Sequence, residues 1–214
     1  DTANWSEGRH SQQYDFDTQL GLAGVTLTHL IDEKSSLKLV GLYGVNEIQS
    51  ITDTVTKTGD QSFRWENSRF KVARLAANVV YQRKLNPGAS IKTGVTFTSF
   101  GYSVFLNQYR CNVDNLVQIY SGDGTANLLQ PYIQYSSLIA GKMRLNAGLH
   151  SMYLGLTNSF VVEPRVSAEI FAGLNTTVGV SYGLHSQILP FPTYHTTIND
   201  TGGNPLAQPN RNLG

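Results

Sequence analysis

Glu163, Arg165 and Glu169 fall at alternate positions of the stretch "VEPRVSAEI" (162–170). In an extended chain, residues two apart point the same way and stand about 7 Å from each other. Glu163 and Arg165 can therefore brace each other as an ion pair. Glu163 and Glu169 are too far apart to share acid–base work. His150 and His185 are candidate ligands, but no cysteine or clustered aspartate completes a metal set around them. Ser181 and Ser186 lack the strand-to-helix elbow of a hydrolase nucleophile. "SGDGT" (121–125) is Gly-rich and acidic, yet its spacing fits no calcium loop. Cys111 is the one cysteine and reads as a free thiol in a loop. These residues predict no enzyme, no metal and no cofactor.

Composition narrows the class further. Charged residues make up 14% of the 214, against about 25% in typical soluble domains, and the net charge is +1. A field that weak gives no pull on nucleic acid. Ser, Thr, Asn, Gln, Gly and Tyr take the place of the missing charge. No apolar run approaches the ~20 residues of a membrane-spanning helix, and no signal peptide opens the chain.

Helical periodicity is weak, and period-two alternation recurs. It predicts eight strands: about 18–31, 37–46, 70–83, 90–105, 127–139, 142–154, 160–171 and 175–190. Each splits into two faces. In the third strand Leu75, Ala77, Val79 and Tyr81 oppose Arg74, Asn78 and Gln82. In the fourth, Ile91, Val95 and Phe97 oppose Lys92, Gly94, Thr96 and Thr98. In the sixth, Leu145, Ala147, Leu149 and Tyr153 oppose Arg144, Asn146, Gly148 and His150. In the eighth, Val178, Val180, Tyr182 and Leu184 oppose Thr177, Gly179, Ser181, Gly183, His185 and Gln187.

The connections sort by side. "DEKSS" (32–36), "LNPGAS" (85–90), "AGK" (140–142) and "AGLN" (172–175) are short and carry turn residues. The stretches 47–69, 106–126 and the tail after Pro190 read as long loops, with "GLTNS" (155–159) the short exception. Long strands, sorted turns and few Lys or Glu favour an antiparallel transmembrane β-barrel over a soluble sandwich or lipocalin-like barrel. Lipid offers no hydrogen-bond partner, so only a closed barrel satisfies the backbone within it. The apolar faces then meet lipid. Arg74, Asn78, Arg144, His150, Glu163, Arg165, His185 and Gln187 face the lumen as candidate contacts. Trp65, Tyr109, Tyr120 and Tyr194 are candidate ligand-stacking residues of the long loops, and His195 is expected to be solvated in the tail. Strand one begins, and strand eight ends, on the long-loop side. Residues 1–214 are therefore expected to be an internal piece of a larger barrel.

"VEPRVSAEI" (162–170), "NTTVGVSYGLHSQILPFPTYH" (175–195) and "PNRNLG" (209–214) resemble the barrel of TonB-dependent outer-membrane receptors. The similarity is to the branch with an N-terminal carboxypeptidase-regulatory-like domain. "IDEKSSLK" (31–38), "IKTGVTFT" (91–98) and "LNAGLHSMYLGLTNS" (145–159) extend it in the same order, and "SYGLHSQ" is its most specific part. "ILPFPTY" departs from the family's usual run there.

The resemblance implies a barrel of about 22 strands in the outer membrane of a Gram-negative bacterium. It implies a plug packed against small wall residues such as Gly179, Ser181 and Gly183, with His185 and Gln187 near the external rim. It further implies energised uptake of a nutrient ligand through the TonB complex. Plug, TonB box and closing strand are expected outside these residues, and a surface lipoprotein stands open as a further partner. The competing expectation is an adhesive or structural barrel, or a passive porin, whose loops bind a partner.

Overall fold

The computed structural model describes residues 12–55, 62–173, 175–195, 198–199 and 205–207. Eight strands form one antiparallel sheet in which every strand pairs with its sequence neighbours: β1 Gln12–Leu30, β2 Ser35–Val55, β3 Ser62–Asn86, β4 Ala89–Arg110, β5 Asn115–Ile139, β6 Met143–Leu154, β7 Ser159–Phe171 and β8 Thr177–Gly183. The order is a meander, and β1 and β8 do not pair with each other, so the sheet is open. A one-turn helix, α1 Phe191–Tyr194, follows, then a two-stranded ladder of β9 Ile198–Asn199 and β10 Pro205–Ala207.

Register turns the alternation of single strands into continuous rows. Ile91, Tyr135, Ala147, Val166 and Tyr182 stand opposite one another across β4 to β8. Leu39 faces Val79, which faces Val95. These rows form an apolar band, and nothing among the described residues covers it: Leu75 is 57% exposed and Val180 71% exposed. We call this the bare face. The opposite face carries the buried cluster of the molecule and is called the covered face.

The tight turns are where turn chemistry places them. Between β5 and β6, Ala140 and Gly141 both take positive φ, 51° and 69°. Positive φ gives the backbone twist of a tight hairpin turn; residues 140–142 join Ile139 to its partner Met143, and Lys142 N closes the turn onto Ile139 O at 3.1 Å.

Two expectations are corrected. The stretches 47–69 and 106–126 are mostly strand, not loop: only 56–61 and 111–114 separate β2 from β3 and β4 from β5. Their polarity suggested loop, but cross-strand pairs suit polar ladders equally well. Glu47 pairs with Arg69 and Lys71, and Asp53 with Arg64. The second correction is that β8 ends at Gly183. Leu184 N still bonds Pro164 O at 3.1 Å, but Pro164 has no N–H to return the bond.

Candidate functional site

Leaving β8, the chain crosses the covered face. Residues 184–195 form a strap, and its anchor is Glu163 on β7, whose side chain is 2% exposed. One carboxylate oxygen accepts from Arg165 at 2.6 Å and lies 2.9 Å from His150 Nδ1. The other accepts from the backbone N–H of Ser186. Arg165 is two residues along the same face, and His150 is the register partner of Glu163 on β6. A carboxylate can only accept, so His150 carries its proton on Nδ1. Three donors converge on one buried anion, which satisfies its charge without water.

Above the anchor the covered face turns apolar. Phe100, Tyr102 and Val104 continue the face of Thr96 and Thr98, and Ala126, Leu128 and Leu154 stand beside them, all buried. Phe191 and Tyr194 of the strap close this cluster, with Ile188 packed against it. Phe191 stacks on Tyr102 at 4.5 Å with an 8° interplanar angle, and meets Phe100 edge-on at 5.3 Å. Burying two such rings is worth about 1.5–3 kcal/mol each. Further along, His195 Nε2 lies 3.1 Å from the Tyr102 hydroxyl. Its ring lies over Gly122, where a Cβ would overlap Nδ1. Thr98 marks the change from polar to apolar: it is fully buried and its hydroxyl has no partner.

Two cavities flank the anchor. Below it, one of about 750 Å³ is lined by polar groups including Thr96, Gln130, Asn146, His150, Arg165 and His185. Above it, one of about 420 Å³ lies between the strap and β6–β7.

The expected lumenal residues sort into three groups. His150, Glu163 and Arg165 meet in the anchor. Arg74, Asn78 and Arg144 stand apart from it on the same face. Arg74 lies 5.8 Å over the Phe100 ring, Asn78 Nδ2 donates to Thr96 Oγ1 at 2.5 Å, and Arg144 stands 3.8 Å from Glu169. His185 and Gln187 belong to the strap rather than to a strand.

The expected loop residues are placed differently. Trp65, Tyr109 and Tyr120 lie on β3, β4 and β5. Trp65 and Tyr109 form a tilted aromatic trio with Phe63, centroids 4.9–6.4 Å apart. Tyr120 is half-buried against the apolar cluster. Tyr194 is buried, and its hydroxyl accepts from Leu189 N at 3.2 Å. His195 is half-buried on Tyr102, not solvated. Both strap residues turn inward because the wall beneath them is apolar. The missed signal was that wall: Phe100, Tyr102 and Val104 break the polar alternation of β4.

No protein-family model, curated protein or solved structure matches this chain.

Proposed function

We propose that the chain is a stretch of barrel wall from a TonB-dependent outer-membrane receptor, serving energised uptake of a nutrient ligand. The observation that carries this reading is the bare apolar band running across the antiparallel meander. Soluble monomers rarely expose contiguous apolar patches beyond a few hundred Å². In lipid that band is the solvent-matched surface, and antiparallel ladders pair the backbone of each strand with its neighbours across the sheet. In this reading the open edges at β1 and β8 continue into further strands of the parent, about 22 as the resemblance implies. The covered face then lines the lumen. Its polar lower half is the surface for a plug, and the strap narrows the way in from outside. His150, Glu163 and Arg165 hold the strap rather than turn over a substrate.

The test is the mass and location of the intact polypeptide. In this reading a species several times heavier than 23.5 kDa fractionates with outer membranes and is released only by detergent. A soluble species near 23.5 kDa refutes it.

A further inference from the structure

We propose that the cavity between the strap and β6–β7 binds a compact apolar group, an aromatic ring or short branched acyl chain bearing one hydrogen-bonding end. Met152 and Leu154 of β6, Val161 of β7, and Ile188 and Tyr194 of the strap form its apolar walls. Ser159 and Gln187 supply polar atoms at its margin. Its volume, about 420 Å³, lies in the range of small-molecule sites.

Two backbone donors of the strap beside it are already used. Ser186 N is taken by Glu163 and Leu189 N by the Tyr194 hydroxyl. Water needs two to four polar partners to occupy a cavity, and apolar cavities large enough for a benzene ring take one up instead. Met152 adds an adaptable wall that can repack around differing shapes. The occupant is a small molecule rather than a polypeptide because the strap spans the space and leaves about 420 Å³ beneath it. It is tied to the wall at Glu163 on one side and at Tyr102 on the other. Glu163 bonds to lining residues of both cavities. A ligand seated by its apolar end above the anchor can place its polar remainder in the larger cavity below. That this ligand is cargo rests on the receptor reading; the cavity itself does not.

The probe is 4-fluorobenzyl alcohol, followed by fluorine NMR on the whole receptor in lipid nanodiscs, with empty nanodiscs as the partition reference. The expected result is a saturable, protein-dependent signal. Val161→Phe fills the cavity from β7 without touching the strap's hydrogen bonds and should weaken binding at least tenfold. Glu163→Ala loosens the strap and should weaken it several-fold. Phe160→Val, on the bare face next to Val161, should leave it unchanged. If Val161→Phe fails to fold, Met152→Phe fills the same space from β6. A probe signal no larger than that of empty nanodiscs overturns the proposal, as does saturable binding that survives both cavity-filling variants. Should the protein prove soluble, the same titration in buffer scores the cavity while the receptor reading fails separately.

Discussion

The sheet carries two apolar surfaces, and they are treated in opposite ways. On the covered face Phe100, Tyr102, Val104 and Leu128 are shielded by twelve residues of the same chain, held by a buried carboxylate. On the bare face Leu75, Ile133, Leu149, Val166 and Val180 are left open, each at least 45% exposed. If both faces met water, the chain would cover the smaller apolar surface and neglect the larger. The contrast makes sense when the two faces meet different media. In the receptor reading water or a polar plug fills one side, where the apolar side chains of β4 to β6 are lidded while Phe16, Leu20 and Leu22 of β1 stay open. In the same reading hydrocarbon fills the other, where they need none.

The most direct way to break this comparison is to place a charge in the middle of the bare band. Leu149→Arg should cost about 2–4 kcal/mol in liposomes, the penalty for Arg near a bilayer midplane. Urea unfolding followed by heat-modifiable gel mobility reads it. In a water-facing sheet the same change falls within about 0.5 kcal/mol, and that result would remove the lipid side of the argument. Gln134→Arg, on the polar half of the covered face, serves as the matched control and should be mild.

The strap side is tested next through its anchor. Glu163→Ala leaves Ser186 N, and the His150 and Arg165 donors, without their acceptor. Arg165 is half-exposed and recovers water, so the cost should be about 1–3 kcal/mol, mostly from the buried partners. Limited proteolysis should then cut within 184–195 while β7 and β8 stay protected. Protection equal to wild type would mean that the aromatic stack alone holds the strap.

A smaller effect sharpens the far end of the strap. Gly122→Ala puts a methyl where the His195 ring lies. The ring is the end of a mobile side chain, so it should swing away at about 1 kcal/mol or less. The imidazole NMR signals of His195 should move toward those of a solvated histidine, with Tyr102 and Phe191 still stacked. Unshifted signals would show that His195 does not sit on the sheet.

How much of this was legible in the sequence follows from what alternation reports. Period two reports side-chain facing, so the eight strands, their order and the bare-face residues of β3 to β8 could be read from residues such as Leu75, Val79, Ile133 and Val166. Alternation is silent on where pairing stops. The β2–β3 hairpin continues well past the apolar stretch, where Glu47 pairs with Lys71 and Asp53 with Arg64 across the strands; β4–β5 runs on as a paired ladder to Arg110 and Asn115, and such ladders look like loops in sequence. Glu163 and Arg165 could be matched by spacing, and His150 could be placed on the same face. The strap could not be foreseen, because its contacts join residues as far apart as Tyr102 and His195.

The mildest test lies where the bare band ends. Along β2, Val45 is followed on the same face by Glu47, which meets Arg69 Nη2 at 2.6 Å and Lys71 Nζ at 3.1 Å. Hydrogen bonds from Lys71 and Arg69 hold its carboxyl below the ordinary glutamate range. A depressed carboxyl pKa contributes stability above the unfolded value, about 4.3, and that contribution is lost as pH falls through the folded value. The upper ends of β2 and β3 should therefore open on acidification below about pH 4.3, seen as faster amide exchange around residues 47–52 and 66–71. Glu47→Gln should abolish that pH dependence while leaving the apolar rows below it protected. If the rows of Leu39, Val79 and Val95 open together with the ion pairs, the band is held by those charges rather than by its surrounding medium, and the contrast between the two faces loses its physical basis.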